Sequence, residues 1–180
     1  PQTPAVTRGP PPHDQAERSL IKQHRPASQD RRTRVTTYVD TSILAAYYCP
    51  EPISLLAERT LRSLTSPAIS DLTLVELTAA VSRKIREKTL SREEGARILT
   101  QFETHLEEGY YRVLPVRTRD YRVARSWLAQ LQGTLRTLDA LHLAVAESSG
   151  ASTLTADKRL AAEAQALGLS VKLLAATRSR

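Results

Sequence analysis

Short β-branched segments alternate with longer amphipathic ones from Val35 to Leu174, and this alternation narrows the possible folds more than any other feature. Val35–Val39, Pro67–Ser70, Tyr110–Val116, Ala151–Thr155 and Ser170–Leu174 read as strands. Helical periodicity predicts Ile43–Tyr48, Ile53–Leu64, Thr73–Lys88, Ser91–Leu106, Asp120–Leu131, Thr137–Ser148 and Lys158–Leu167 between them. Asp71 stands near the start of the third helix, and Ser91-Arg92-Glu93-Glu94 has the spacing of a capping box. Gly150 and Gly168 follow the last two helices, as C-terminal glycines do. Strands separated by one or two helices specify an α/β layer fold with a largely parallel central sheet.

Composition removes several classes. Hydrophobic residues at 41% permit a packed core, and aromatics at 4% make that core aliphatic. A single cysteine, Cys49, excludes an internal disulfide framework and suits a reducing cytoplasm. The apolar runs fall far short of the roughly 20 residues that span a bilayer, so no membrane role is expected. With six glycines in total, neither a Walker loop nor a dinucleotide fingerprint is present.

Residues 1–34 differ in texture from the rest. They hold six of the ten prolines, and their seven basic and three acidic groups give a net +4. The other 146 residues carry 19 and 16, a net +3, which is weak as a sign of a polyanionic partner. The division expected is a disordered Pro/Arg-rich extension over 1–34, a folded domain over 35–175 and a tail over 176–180. A basic arm that touches nucleic acid is the alternative for the extension. The absence of Met fits an initiator removed before Pro1.

Four carboxylates stand at junctions between these elements. Asp40 follows the first strand, Asp157 follows the fourth, Asp139 opens the helix Leu138–Ser148, and Glu76 lies in the first turns of the Thr73–Lys88 helix. Ligands of open α/β sheets sit outside the carboxyl ends of the strands, where Asp40 and Asp157 meet if their strands are parallel neighbours. Each aspartate is also a plausible helix cap. Asp139 fits that role poorly, because its helix is apolar around almost its whole circumference; a buried acid needs a partner, for which Arg136 or a metal ion qualifies. Glu76 points off the core face toward Ala79, Ala80 and Arg83, where no cation stands at the two nearest positions. Four such acids suggest a site for Mg²⁺ or Mn²⁺, which take oxygen ligands and can activate water beside a phosphate. Thr41, Ser42 and Thr155 are candidate supporting hydroxyls, or local turn and cap groups.

The segments Tyr38-Val39-Asp40-Thr41-Ser42, Ile69-Ser70 through Val75-Glu76, Leu138-Asp139-Ala140-Leu141-His142-Leu143-Ala144 and Leu154-Thr155-Ala156-Asp157 resemble, in order, those of the PIN-domain ribonucleases, and among them the VapC-type toxins of bacterial toxin–antitoxin pairs. The resemblance covers roughly Thr37 to Leu174. It implies a PIN-like three-layer sandwich and a Mg²⁺- or Mn²⁺-dependent endoribonuclease acting on single-stranded or loop RNA. It also implies Asp40, Glu76, Asp139 and Asp157 as the acidic metal site, a protein antitoxin and a homodimer; the lone cysteine separately favours a cytoplasmic location. The extension before the first strand departs from that pattern. Housekeeping RNA maturation by the same chemistry is one alternative, and a non-enzymatic Mg²⁺-binding signalling module is another. The second expects an acidic pair after the first strand, where this chain has Asp40-Thr41-Ser42.

Other residues carry less. Arg83, Arg136, Lys158 and Arg159 are candidates for RNA phosphate, or solvated helix faces. His142 reads as helix packing rather than a ligand, and Trp127 as packed on the sheet or a dimer partner. Cys49 has no assembled His and Asn for nucleophilic catalysis.

Overall fold

A computed structural model describes residues 36–130 and 133–175; the proposed 1–34 extension and 176–180 tail lie outside these residues. The described chain forms five strands: β1 (Thr37–Val39), β2 (Pro67–Ser70), β3 (Arg112–Leu114), β4 (Ser152–Thr155) and β5 (Val171–Leu173). Between them run α1 (Thr41–Tyr48), α2 (Ser54–Ser63), α3 (Asp71–Arg86), α4 (Arg92–Glu107), α5 (Thr118–Leu128), α6 (Thr137–Ser148) and α7 (Lys158–Ala166). The strands make one sheet in the order β3-β2-β1-β4-β5, with every pairing parallel.

The register explains how distant residues meet. Tyr38 of β1 lies opposite Ala68 of β2 on one side and Thr153 of β4 on the other. The chain therefore builds outward from β1 through β2 to β3, then returns to place β4 on β1's free edge. That reversal is the switch point at which parallel sheets open a crevice.

The period-two alternation of the strands sorts the core into two layers. Val39, Ile69 and Leu154 face α1, α3 and α4, where Ile43, Leu44, Leu77, Val81 and Phe102 are buried. Tyr38 and Ala68 face the other way, onto Val145 and Ala146 of α6. Residues Ala140 to Ala146 of α6 are all buried, against Ala124 of α5 on one flank and Leu160 of α7 on the other. Burial of each such aliphatic side chain contributes roughly 1.5–3 kcal/mol. Trp127 joins these helix–helix clusters beside Leu135, in a group that also includes Val171 of β5.

Local signals set the helix ends. Asp40 and Asp157 each accept backbone N–H bonds at the starts of α1 and α7. Ser91 and Glu94 form the reciprocal capping box of α4. α5 starts two residues before its expected Asp120, because Arg117 N–H bonds the Asp120 carboxylate and makes Thr118 the first helical residue.

Candidate active site

The C-terminal ends of β1 and β4 are hydrogen-bonded neighbours, with Asp40 N–H donating to Leu154 C=O at 2.9 Å. This pairing brings Asp40 and Asp157 to one end of the sheet. Glu76 enters from α3 and Asp139 from the first turn of α6. The fields of Asp40 and Asp157 both act on the Asp139 carboxyl, and those of Asp40, Glu76 and Asp139 act on the His142 imidazole. All four acids predicted from sequence thus lie at this end of the sheet, linked pairwise through Thr41, His142, Thr155 and Arg159 rather than gathered into one tight cluster.

Each acid is tethered mainly through one oxygen. Asp40 Oδ2 accepts from Ser42 N–H at 3.2 Å, Ser42 Oγ at 2.5 Å and Thr155 Oγ1 at 2.9 Å. Ser42 Oγ in turn accepts from Ala156 N–H, and Thr155 Oγ1 from Asp157 N–H. The two hydroxyls therefore lash the β1 and β4 ends together around Asp40. Glu76 Oε2 accepts from Thr41 Oγ1 at 2.5 Å and lies 2.6 Å from His142 Nε2. Asp157 Oδ1 caps α7 through the Arg159 and Leu160 N–H groups. Asp40 Oδ1 and Glu76 Oε1 take no protein hydrogen bond among the described residues.

Asp139 has the least comfortable environment. Burial pushes its carboxyl above the usual range; the Arg159 charge only partly offsets this, and Asp157 and Asp40 push the same way. Arg159 Nη2 lies 2.9 Å from Asp139 Oδ2 and 3.6 Å from Asp157 Oδ2. The first contact is an ion pair without hydrogen-bond geometry, so Asp139 Oδ2 is a buried oxygen with no hydrogen bond. Arg136 itself is exposed at the N-terminal cap of α6. The expected Arg136 guanidinium partner is therefore corrected to Arg159, which is brought there by the β4–α7 turn.

Two further expectations change. Glu76 is turned inward rather than toward Ala79 and Ala80, with its side chain only 22% exposed. His142, read as packing, is buried as expected but also bridges Glu76 and Tyr38; its Nδ1 lies 2.6 Å from the Tyr38 hydroxyl. The signal in the sequence was its position one helical turn after Asp139, on the same face. Burial opposes a charged His142, but Glu76, Asp40 and Asp139 outweigh it and raise its pKa; burial likewise opposes ionised Glu76, whose bonds to His142 and Thr41 lower its pKa. Lys158, Arg136 and Arg83 are exposed, the last 3.9 Å from Glu87.

As placed, no three acidic, His or Cys side chains among the described residues are gathered tightly enough to hold a metal ion. Arg159 draws Asp139 toward Asp157, while Glu76 is held by His142. The donor chemistry nevertheless fits a hard divalent cation: all-oxygen, acidic, with one buried oxygen lacking a hydrogen bond.

No curated protein matches this chain in sequence. Solved structures do match in fold. The sarcin–ricin-loop-cleaving toxin VapC20 of Mycobacterium tuberculosis aligns with a TM-score of 0.57 at 20% identity, over 70% of this chain and 93% of that one. A DNA-bound VapBC of Salmonella typhimurium aligns at 0.57 and 20%, over 77% and 97%. VapBC-5 of Mycobacterium tuberculosis, from a toxin–antitoxin family, aligns at 0.54 and 23%, over 79% and 99%. At these identities the likeness establishes a shared fold. The PIN-domain family model matches residues 37–165, from the first residue of β1 to within one residue of the end of α7. That span contains all four acids and the hydroxyls that tether them, and on it this chain belongs to the PIN-domain family.

Proposed function

We propose that the protein is a metal-dependent endoribonuclease and the toxin of a toxin–antitoxin pair. The observation that carries this reading is the convergence of Asp40, Glu76, Asp139 and Asp157 at the sheet's switch point, with oxygens left over after each is tethered. Such a cluster of like charges is costly without a cation and serves no purpose in packing. Asp40, Asp139, Glu76 and Asp157 would hold Mg²⁺ or Mn²⁺, which supplies a water nucleophile near neutral pH and steadies the leaving oxygen.

The chain's own groups have definable tasks. Ser42 and Thr155 fix the Asp40 carboxylate, and Thr41 fixes Glu76. Arg159 partly offsets the charge of Asp139 and Asp157 before RNA arrives, and its guanidinium suits a phosphate oxygen equally well. Arg83, Arg136 and Lys158 are exposed cations for the flanking RNA backbone. A cognate protein antitoxin would cover the acidic site, and a homodimer in the cytoplasm completes the reading. The fold neighbours from toxin–antitoxin systems support the toxin assignment. Among the described residues no helix is long and apolar enough to cross a membrane.

The test is to sequence RNA ends after a brief pulse of expression, beside an Asp40→Asn control. Discrete new ends that require Asp40 support the proposal. An unchanged transcriptome, or the same ends with Asp40→Asn, overturns it.

A further inference from the structure

Tyr38 lies in the middle of the central strand, with no exposed surface, yet its hydroxyl is the hub of a polar chain. It lies 2.7 Å from Ser70 Oγ at the end of β2, 3.3 Å from Thr73 Oγ1 in α3 and 2.6 Å from His142 Nδ1 in α6. One O–H and two lone pairs satisfy three partners with nothing to spare. The chain continues through the ring of His142, 2% exposed, whose Nε2 reaches Glu76 Oε2 at 2.6 Å.

Ser70 and Thr73 serve the N-terminal capping box of α3, but the tyrosine hydroxyl and the histidine between the sheet and α6 gain nothing for packing. Aliphatic residues would fill that space without polar groups to satisfy. The arrangement has a directional result, however. Glu76 Oε2 receives both His142 and Thr41, from opposite sides of the sheet's end, leaving Oε1 without a protein partner among the described residues. His142 stands three residues after Asp139, so the helix that delivers one acid also aims another.

We infer that His142, oriented by Tyr38, is a positioning residue that sets the rotamer of Glu76 within the acidic site and couples Glu76 to the Asp139 helix. The inference rests on the endoribonuclease reading above. An ionised carboxylate only accepts, so Nε2 carries a proton toward Glu76. Tyr38 remains a neutral phenol, since burial opposes its ionisation.

Two substitutions at one position separate positioning from packing. His142→Gln places an amide nitrogen near the former Nε2 and keeps the donor to Glu76. His142→Asn places one near the former Nδ1, keeping the contact with Tyr38 and losing reach to Glu76. Tyr38→Phe keeps the ring and frees the imidazole to turn, which guards against a misfolded His142→Asn. The readouts on the full-length protein are Mn²⁺ affinity by titration calorimetry, and kcat and KM on an RNA cut by the wild type. Removal of an outer-shell partner lowers metal affinity or activity by about 10–100-fold, so His142→Asn and Tyr38→Phe should fall in that range and His142→Gln should stay within about fivefold of wild type. The loss should appear in Mn²⁺ affinity and kcat, with KM little changed.

Equal losses in His142→Gln and His142→Asn, or a folded Tyr38→Phe with wild-type affinity and kcat, would overturn the positioning role while leaving the nuclease reading intact. A wild-type protein that neither binds Mn²⁺ nor cuts RNA overturns the reading on which the inference rests.

Discussion

Replacing Arg159 with Gln tests whether a built-in cation holds the acidic site together before any metal arrives. At 2.9 Å from Asp139 Oδ2, a pair of unit charges attracts by about 1.4 kcal/mol in bulk water and about 6 kcal/mol at an effective dielectric constant of 20. Arg159 is 28% exposed and Asp139 18%, so the pair belongs between these limits. Exposed pairs contribute about 0–1 kcal/mol, and breaking a buried one costs about 3–5 kcal/mol. The weaker contact with Asp157 at 3.6 Å adds little, because that carboxylate is 39% exposed. Arg159→Gln should therefore destabilise the metal-free protein by about 1–2 kcal/mol, lowering its Tm by about 3–8 °C. Thermal unfolding in a chelator measures this. In an Asp139→Asn background the same change should cost less, with a coupling on the order of 1 kcal/mol. The variant should also gain more Tm from added Mg²⁺ than the wild type does, since a cation stabilises by mass action and no longer competes with Arg159. Equal Tm values in chelator, together with equal gains from Mg²⁺, would refute the reasoning.

Other outcomes follow from the same geometry. Asp139→Asn should leave metal-free stability equal or slightly higher, because the folded state already disfavours the charged form; RNA cleavage should nevertheless fall by orders of magnitude, as paired unfolding and cleavage assays on one preparation would show. The Glu76–His142 pair should give metal-free stability a maximum in mildly acidic solution. The His142 contribution is full below its ordinary pKa near 6.5 and disappears as pH rises through the raised folded value. The Glu76 contribution is full above about 4.5 and disappears as pH falls through the lowered folded value. Asp40, Asp139 and Tyr38 also face His142, so Tm profiles should be compared with His142→Gln, in which the alkaline decline should flatten. Ser91→Ala should cost about 1 kcal/mol by removing one half of the α4 capping box, with no change in Mn²⁺ binding, measured by denaturant unfolding and calorimetry.

Elements were legible where local chemistry decides them. Ser91 and Glu94 announced the start of α4, and the β-branched run before Asp40 announced β1. Strand lengths were less legible: β3 spans Arg112–Leu114 rather than Tyr110–Val116, since this edge strand pairs with only three residues of β2. Three of the four acids stood out in the sequence because they sit at or beside element junctions, while Glu76 lies within α3. Their partners did not stand out. Arg159 reaches Asp139 only because β4 returns to β1's free edge, a register no local pattern encodes. Asp139 and nearby Arg136 suggested a side-chain pair, whereas Arg136 is exposed at the helix start and Arg159 stands beside Asp139 instead. His142 was hidden by its surroundings, because a polar residue within an apolar helix looks the same whether it satisfies itself or aims a neighbour.

The strand order also sets a timetable for a growing chain. β1 forms near the start of the domain, but its second neighbour is β4, more than a hundred residues later. Contacts that close so large a loop form late and slowly, and domains emerge from the ribosome N-terminus first. Asp40 must therefore wait, with one edge of its strand open, until Thr155 and Asp157 are synthesised and dock beside it. During that interval the four-acid arrangement is incomplete, even though three of the four acids have already been made. On the ribonuclease reading proposed above, a chain built in this order gains its activity only when synthesis of the domain is nearly complete.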